Sequence, residues 1–336
     1  MNGEYCGRLS RLDPLYYCLD EDVMPLLGVA PGGNEYHVFK ANSSKDVYLY
    51  ECEGGPAVVG KFYSRSHEGY NDHAGRCALH EFHNLSLLRS YGLHDYPHYV
   101  ARPLAFNASC NNVLFEEFCK GEPLSAFIDR ALYDGDEGGL YECLTALGFF
   151  LATLHNRTAN GHPVYFRQEC SYMGKLMEQL QEKSLIGYEE AEDFMFFCGR
   201  WHDRPEMWED RQVLIHGDAT PSNFIFSGGI SVTAIDLERL KRADRAHDLG
   251  RIAGELKHMF LMARGEGQSA EPFIGHLLGA YSSHFPDRVR AFFSITARIP
   301  FYMAETLLRI ARNDWCEKEH RLRLIAEAFH TLRSGE

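Results

Sequence analysis

No stretch of this chain is apolar for long enough to cross a bilayer; the richest run, ALGFFLATLH, is short and ends in His155. The first residues, MNGEYCGRLSRLDPLYYCLDEDV, lack the basic, apolar and small-residue succession of a secretion signal. No repeat recurs at a solenoid period, and no low-complexity tract interrupts the chain. There are ten cysteines but no C-x-x-C pair. That supports neither a disulfide framework nor a zinc site. The thiols read as reduced and buried, which points to a cytoplasmic protein. A basic stripe is missing too: the net charge is -13, which argues against nucleic acid as a partner. The expectation is a protein that engages neither nucleic acid nor membrane.

What is present suffices for one large or two modest domains: 336 residues, 45% hydrophobic and 24% charged. Residues 35–64 read as three short strands, EYHVFKA, VYLYEC and AVVGKFYS, by alternation and β-branched content. EGGP makes the second connection a tight hairpin. Residues 74–92 have helical spacing at Leu79, Phe82, Leu85 and Leu88, and Gly92 ends the run. YVARPLAFN and NNVLFEEF are strand-like again, so the first portion reads as about five strands and one helix. PGGNE at 31–35 reads as the turn that feeds the first strand. After CKGEPL the character changes to helices: 123–132, a long apolar one at 140–158, two or three at 171–210, then 244–263, 271–284, 288–313 and 317–333.

One loop interrupts those helices. LIHGDATPSNFIF, 214–226, places His216, Asp218 and Asn223 among turn formers and closes with an alternating strand. GGISVTAIDLE follows, and Asp236 emerges at the end of an apolar strand. Two carboxylates and an amide oxygen are the ligand types that suit Mg²⁺, so Asn223 and Asp236 are candidate metal ligands. Asp218 is the spare carboxylate, able to orient a hydroxyl nucleophile. Each of these residues is also an ordinary turn former.

The combination HGDATPSN then IDLE resembles the catalytic and metal-binding segments of the aminoglycoside phosphotransferases and choline-kinase-like enzymes, small-molecule relatives of the protein kinases. Thr220 stands where a protein kinase usually carries Lys, and Leu237-Glu238 replaces Phe-Gly. Both departures favour the small-molecule branch over a protein kinase, and the intact set Lys61, Asp218, Asn223 and Asp236 speaks against a catalytically silent nucleotide-binding scaffold. The resemblance implies an α+β, two-lobe protein-kinase-like fold. Residues 1–118 would form a small antiparallel-sheet nucleotide-binding lobe, with 1–34 an extension and first turn. Residues 119–336 would form a larger helical catalytic lobe. It further implies ATP and Mg²⁺ as cofactors and, as acceptor, a hydroxyl of a small molecule such as a sugar, amino sugar or amino alcohol. By the same match Lys61 contacts phosphate and Glu81 pairs with it. NSSKD, with Ser43 and Ser44, takes the place of the nucleotide loop. Glu117, through its C=O, and Cys119, through its N–H, hold adenine. His216 joins Asp218 as a candidate catalytic residue; it could act as a base, but in the resembled enzymes it braces the loop. Asp248 is a candidate brace or a helix-start carboxylate.

Acid is concentrated before the loop, with 11 Asp/Glu against 4 Lys/Arg in 169–210. In the resembled enzymes this segment helps form the acceptor site. The cluster Glu189, Glu190, Glu192 and Asp193 therefore has two readings: a wall that attracts a cationic acceptor, or the wet face of a helix that buries Phe194, Phe196 and Phe197.

Overall fold

The computed structural model describes residues 3–41, 46–63 and 71–335, with side chains from residue 74 in the last segment. The chain divides into two compact units: 1–120 with 233–239, and 121–232 with 240–336.

The first unit is built on an antiparallel sheet. Its strands are β1 (Gly3–Arg8), β2 (Tyr36–Ala41), β3 (Asp46–Cys52), β4 (Ala57–Phe62), β7 (Pro103–Asn107) and β8 (Val113–Glu117), in the order β1-β2-β3-β4-β8-β7. The expected count of about five falls short, because β1 lies in the N-terminal extension and pairs along β2. The rest of that extension is also core. Short helix α1 (Pro14–Tyr17) opens on Asp13, whose carboxylate accepts the Leu15 N–H at 2.9 Å. The turns that follow bury Leu19, Val23 and Met24 with Tyr36, Tyr50 and Phe115 on one face of the sheet. Buried Asp20 accepts hydrogen bonds from Gly32 N–H and the Tyr36 hydroxyl, both at 2.9 Å, and from Asn34 Nδ2 at 2.6 Å. One carboxylate thus holds the PGGNE turn at the head of β2, as the Gly-Gly pair suggested.

Helix α2 (Asn71–Ser90) packs on this unit, but its buried stripe is Ala74, Ala78, Glu81, Leu85 and Leu88. Leu79, expected to be buried, is exposed, and Glu81 takes a core position instead. The expected strand YVARPLAFN is interrupted: β5 (His94–Asp95) pairs with β6 (His98–Val100), and β7 starts afresh at Pro103. Residues 233–239 belong to this unit through two anchors. Ala101 N–H donates to the Ala234 carbonyl at 3.1 Å, and Asn84 Nδ2 donates to the Leu237 carbonyl at 2.8 Å.

The second unit is mainly helical. It opens with β9 (Glu122–Pro123), which pairs with β11 (Phe224–Phe226). Gly121, at φ +141°, precedes it; a Cβ there would lie 2.4 Å from the Phe226 carbonyl oxygen, so only glycine fits. Helices α3 (Leu124–Asp129) and α4 (Glu137–Thr158) follow, then α5 (Arg167–Glu182) and α6 (Tyr188–His202). α4 buries Leu140, Leu144, Leu147, Phe150, Leu151 and Leu154, as its apolar breadth predicts. On α6 the buried stripe is Ala191, Phe194, Cys198 and Trp201. Glu189, Glu190, Glu192 and Asp193 are exposed, so the wet-face reading describes them. Phe196, expected to be buried, is 59% exposed.

Strand β10 (Val213–Ile215) pairs with β13 (Lys241–Ala243), and β12 (Val232–Ala234) lies where the chain passes between units. Then come α7 (Ala246–Arg264), α8 (Glu271–Ser282), α9 (Arg288–Thr296), α10 (Ile299–Ala311) and α11 (Lys318–Ser334). The single helix expected over 288–313 is two, because Pro300 occupies the first turn of α10 and cannot continue a preceding helix. Arg298, at the break, is fully buried between Asp244 (3.0 Å) and Asp210 (2.7 Å). α7 and α10 approach closely at Gly250 and Gly254, which face Tyr302 and Thr306. The fold class is α+β, one antiparallel-sheet unit and one mainly helical unit.

Candidate active site

In the first unit, Lys61 sits in β4 opposite Val47 of β3 and Leu114 of β8. Strand alternation puts it on the face that carries Val47, Val59 and Phe118, opposite the face packed by the N-terminal extension. Its ammonium donates to Glu81 Oε1 at 2.7 Å. The structure therefore brings together the two residues that the family resemblance paired. It also adds a third: Glu116 Oε1 lies 2.7 Å from the same nitrogen. Lys61 is 7% exposed, Glu116 2% and Glu81 0%. Tyr63 donates its hydroxyl to the other oxygen of Glu81.

One cation therefore serves two buried carboxylates. Burial disfavours the Lys61 ammonium, but Glu116, Glu81 and Asp236 outweigh it and raise its pKa. Glu116 responds the other way. Its pKa is raised to about 7: burial pushes it up, Lys61 pulls it down, and the nearby Glu81 charge pushes it up again. Glu116 escaped the sequence reading because its tie to Lys61 depends on the register of two strands some fifty residues apart.

Asp236 follows β12 in the left-handed region, at φ 59°, an uncommon conformation for a residue other than glycine. Asp236, Glu81 and Glu238 each offer a ligand atom within 4.8 Å of the others. The first unit thus assembles a carboxylate group fit for a hard cation. Glu169, His247 and Glu305, buried in the second unit, also bring ligand atoms within 4.8 Å of one another. Glu117 ends β8, and its side chain accepts the Arg102 N–H at 2.7 Å. The Cys119 thiol points back at the Glu117 carbonyl, 3.8 Å away. Ser43 and Ser44 lie outside the described residues.

In the second unit, the loop after β10 hangs on Asp248, near the start of α7. Asp248 accepts the His216 N–H at 2.7 Å and the Gly217 N–H at 3.1 Å, and faces His155 Nε2 at 3.2 Å. His155 Nδ1 in turn meets the Tyr281 hydroxyl at 2.9 Å. Burial would raise the Asp248 pKa, but the hydrogen bonds from His155 and His247 reverse that and hold it well below the usual range. Burial dominates at His155 and lowers its pKa, which favours the neutral ring. Asp248 is thus a fixed negative charge that clamps two loop amides. His216 is fully buried, and its Nδ1 faces the Asp218 N–H at 3.4 Å. Asn223 Nδ2 donates to the Asp218 carbonyl at 2.9 Å, which leaves the amide oxygen as the lone-pair group suited to a cation.

Asp218 itself is half-buried. Its Oδ1 accepts from Arg251 Nη2 at 3.1 Å, with Arg309 Nη1 at 3.7 Å. Neither arginine stood out in the sequence. Arg251 lies one helical turn beyond Asp248 on α7, which was a usable signal; Arg309 comes from α10 and carried none.

The sequence model described as the phosphotransferase enzyme family, APH, matches residues 36–291. The chain belongs to that family. A search of curated protein sequences finds no match. Among solved structures, the chain is similar to a choline kinase from Cryptosporidium parvum Iowa II, with TM-score 0.62 and 10% identity over 96% of this chain and 94% of that one. It is similar to an ethanolamine kinase from Plasmodium vivax, with TM-score 0.60 and 15% identity over 96% and 86%. It is also similar to the APH(2″)-IIa enzyme in its streptomycin–ATP ternary complex, with TM-score 0.56 and 12% identity over 96% and 97%. At these identities the likeness is one of fold. This APH-family chain is therefore a kinase-like phosphotransferase whose fold is shared with enzymes named for different small molecules.

Proposed function

We propose that this chain transfers the γ-phosphate of ATP to a hydroxyl of a small molecule, with Mg²⁺ as its metal. The observation that carries the reading is the buried Lys61–Glu81 pair at 2.7 Å. A lysine kept charged and almost dry is suited to neutralising phosphate oxygens, and Glu81 fixes its position. In this reading residues 1–118 bind the nucleotide and 119–336 provide the catalytic loop. The Glu117 carbonyl and the Cys119 N–H take the edge of the base, and Val47, Val59 and Phe118 supply an apolar surface for its ring. Ser43 and Ser44 take a phosphate-covering role. An ATP complex among the structural relatives supports ATP as donor.

Asn223 and Asp236 would hold the metal; both present oxygen ligands of the type Mg²⁺ takes. When bound, Mg²⁺ supplies positive charge to the donor phosphates. Asp218 orients the acceptor hydroxyl, whose oxygen forms the new P–O bond as the bond to the bridging oxygen breaks. The hydroxyl proton passes to Asp218, and ADP is the leaving product. His216, fully buried, holds the loop rather than meeting the acceptor. The ten cysteines are free thiols, and no helix among the described residues is long and apolar enough to cross a membrane. A cytoplasmic location is part of the same proposal.

The test is Mg²⁺-dependent ATP turnover against a panel of hydroxyl metabolites. Asp218→Asn should lower transfer by about 10²- to 10⁴-fold and leave Mg-ATP binding nearly intact. A variant with the wild-type rate would remove Asp218 from the mechanism. Label passing to proteins instead of metabolites would make this a protein kinase, and nucleotide binding without turnover would make it a scaffold.

A further inference from the structure

Two guanidinium groups converge on one oxygen of Asp218. Arg251 is 4% exposed, yet its hydrogen bonds are one to Asp218 Oδ1 at 3.1 Å and a long one to the Gly217 carbonyl at 3.5 Å. Arg309 reaches toward the same carboxylate at 3.7 Å and donates to Glu255 Oε1 at 2.8 Å. Each guanidinium group carries five N–H donors. Among the described residues, the Nε atoms of both arginines are buried without a partner. Buried donors left over in this way are costly and call for an explanation.

Glu255 does not remove the surplus, since it already accepts from Arg309. Burial and the Arg309 charge both work against the Arg251 cation. A cationic acceptor brought to Asp218 would add a third positive charge to this crowd. An anion would separate the two arginines electrically and take up their spare donors in the forked geometry guanidinium favours.

We propose that the acceptor is an anionic hydroxyl compound whose carboxylate or phosphate monoester is bound by Arg251 and Arg309 beside the hydroxyl that Asp218 orients. This rests on the reading of Asp218 given above. It reverses the cationic preference that the acidic segment suggested, since the Glu189–Asp193 cluster lies on the exposed face of α6.

The experiment measures ATP turnover with glycerate and glucuronate, with glycerol 3-phosphate and glucose 6-phosphate, and with glucose, choline and ethanolamine. An anionic acceptor should lead by about tenfold or more in kcat/KM, and the leading set identifies carboxylate or phosphate as the group bound. Arg309→Gln should raise the KM of that acceptor by about ten- to a hundredfold, the worth of a charged hydrogen bond. The KM for ATP should move less than about twofold, and Arg309→Lys should recover part of the loss. A second arm needs no turnover: malonate and inorganic phosphate, titrated into protein loaded with Mg²⁺ and a non-hydrolysable ATP analogue, should raise Tm in the wild type and less in Arg309→Gln. A neutral or cationic best acceptor, an anionic KM that ignores Arg309→Gln, or an anion-induced Tm rise absent or equal in both proteins would overturn the inference and leave the phosphotransferase reading standing. Failure to bind Mg-ATP at all would overturn both.

Discussion

Replacing Glu116 with glutamine should stabilise this protein above neutral pH. The reason lies in charge counting at Lys61. Its ammonium has Glu81 and Glu116 oxygens each at 2.7 Å, and both carboxylates are buried. One cation balances one of them, and the second bears the cost of desolvation. That cost appears as the rise of the Glu116 pKa from an ordinary 4.5 to about 7. Below the lower value, both folded and unfolded chains hold the proton. Between the two, the unfolded chain has released it and the folded chain has not, so stability falls as pH rises. Above about 7 the folded protein also ionises, and the loss levels off. At about 1.4 kcal/mol per tenfold change in protonation, the loss across the window is about 3 kcal/mol. Glutamine keeps the shape, keeps an acceptor for Lys61 and removes the second charge. Urea unfolding at about pH 5 and about pH 8.5 reads the effect as the difference between variant and wild type. The variant should exceed wild type by no more than about 1 kcal/mol at the lower pH and by about 2–3 kcal/mol at the higher. A difference that does not change with pH, or a variant less stable at the higher pH, would refute the reasoning.

Three further outcomes are expected. Asp248→Asn turns one acceptor of the His216 and Gly217 amides into a donor; it should cost about 2–4 kcal/mol in urea unfolding and lower turnover through a loosened loop. Gly250→Ala would place a Cβ 2.3 Å from the Tyr302 Cβ, so α7 and α10 must part; a loss of about 1–3 kcal/mol is expected, and an unchanged Tm would show that the helices yield freely. Arg298→Met strips Asp210 and Asp244 of their shared buried cation and should cost about 3–5 kcal/mol, with near-wild-type stability counting against that network.

Much of the fold is local and was readable as such. Alternation revealed β2 and β3, β-branched content revealed β4, turn formers marked the loop of Asp218, and the family's residues could be matched because their order along the chain is kept. The helix 288–313 was misjudged at a single proline; Leu79 lies one position from the buried Ala78, and Phe196 lies midway between the buried Phe194 and Cys198. β1 was missed because its strand identity comes from pairing with β2, some thirty residues on. The candidate site divides in the same way. Asp218 and Asn223 are marked by residue type and spacing, and Lys61 and Glu81 by the family resemblance, both of which a sequence carries by itself. The placing of residues 233–239, and Asp236 with them, in the first unit came from two hydrogen bonds to distant residues. Glu116 beside Lys61, and Arg251 with Arg309 beside Asp218, depend on strand register and on helix packing between segments more than 30 residues apart. Periodicity and turn chemistry act between neighbours and so are written in the sequence. Which charges meet in the interior is set by long-range packing, and that only the tertiary structure decides.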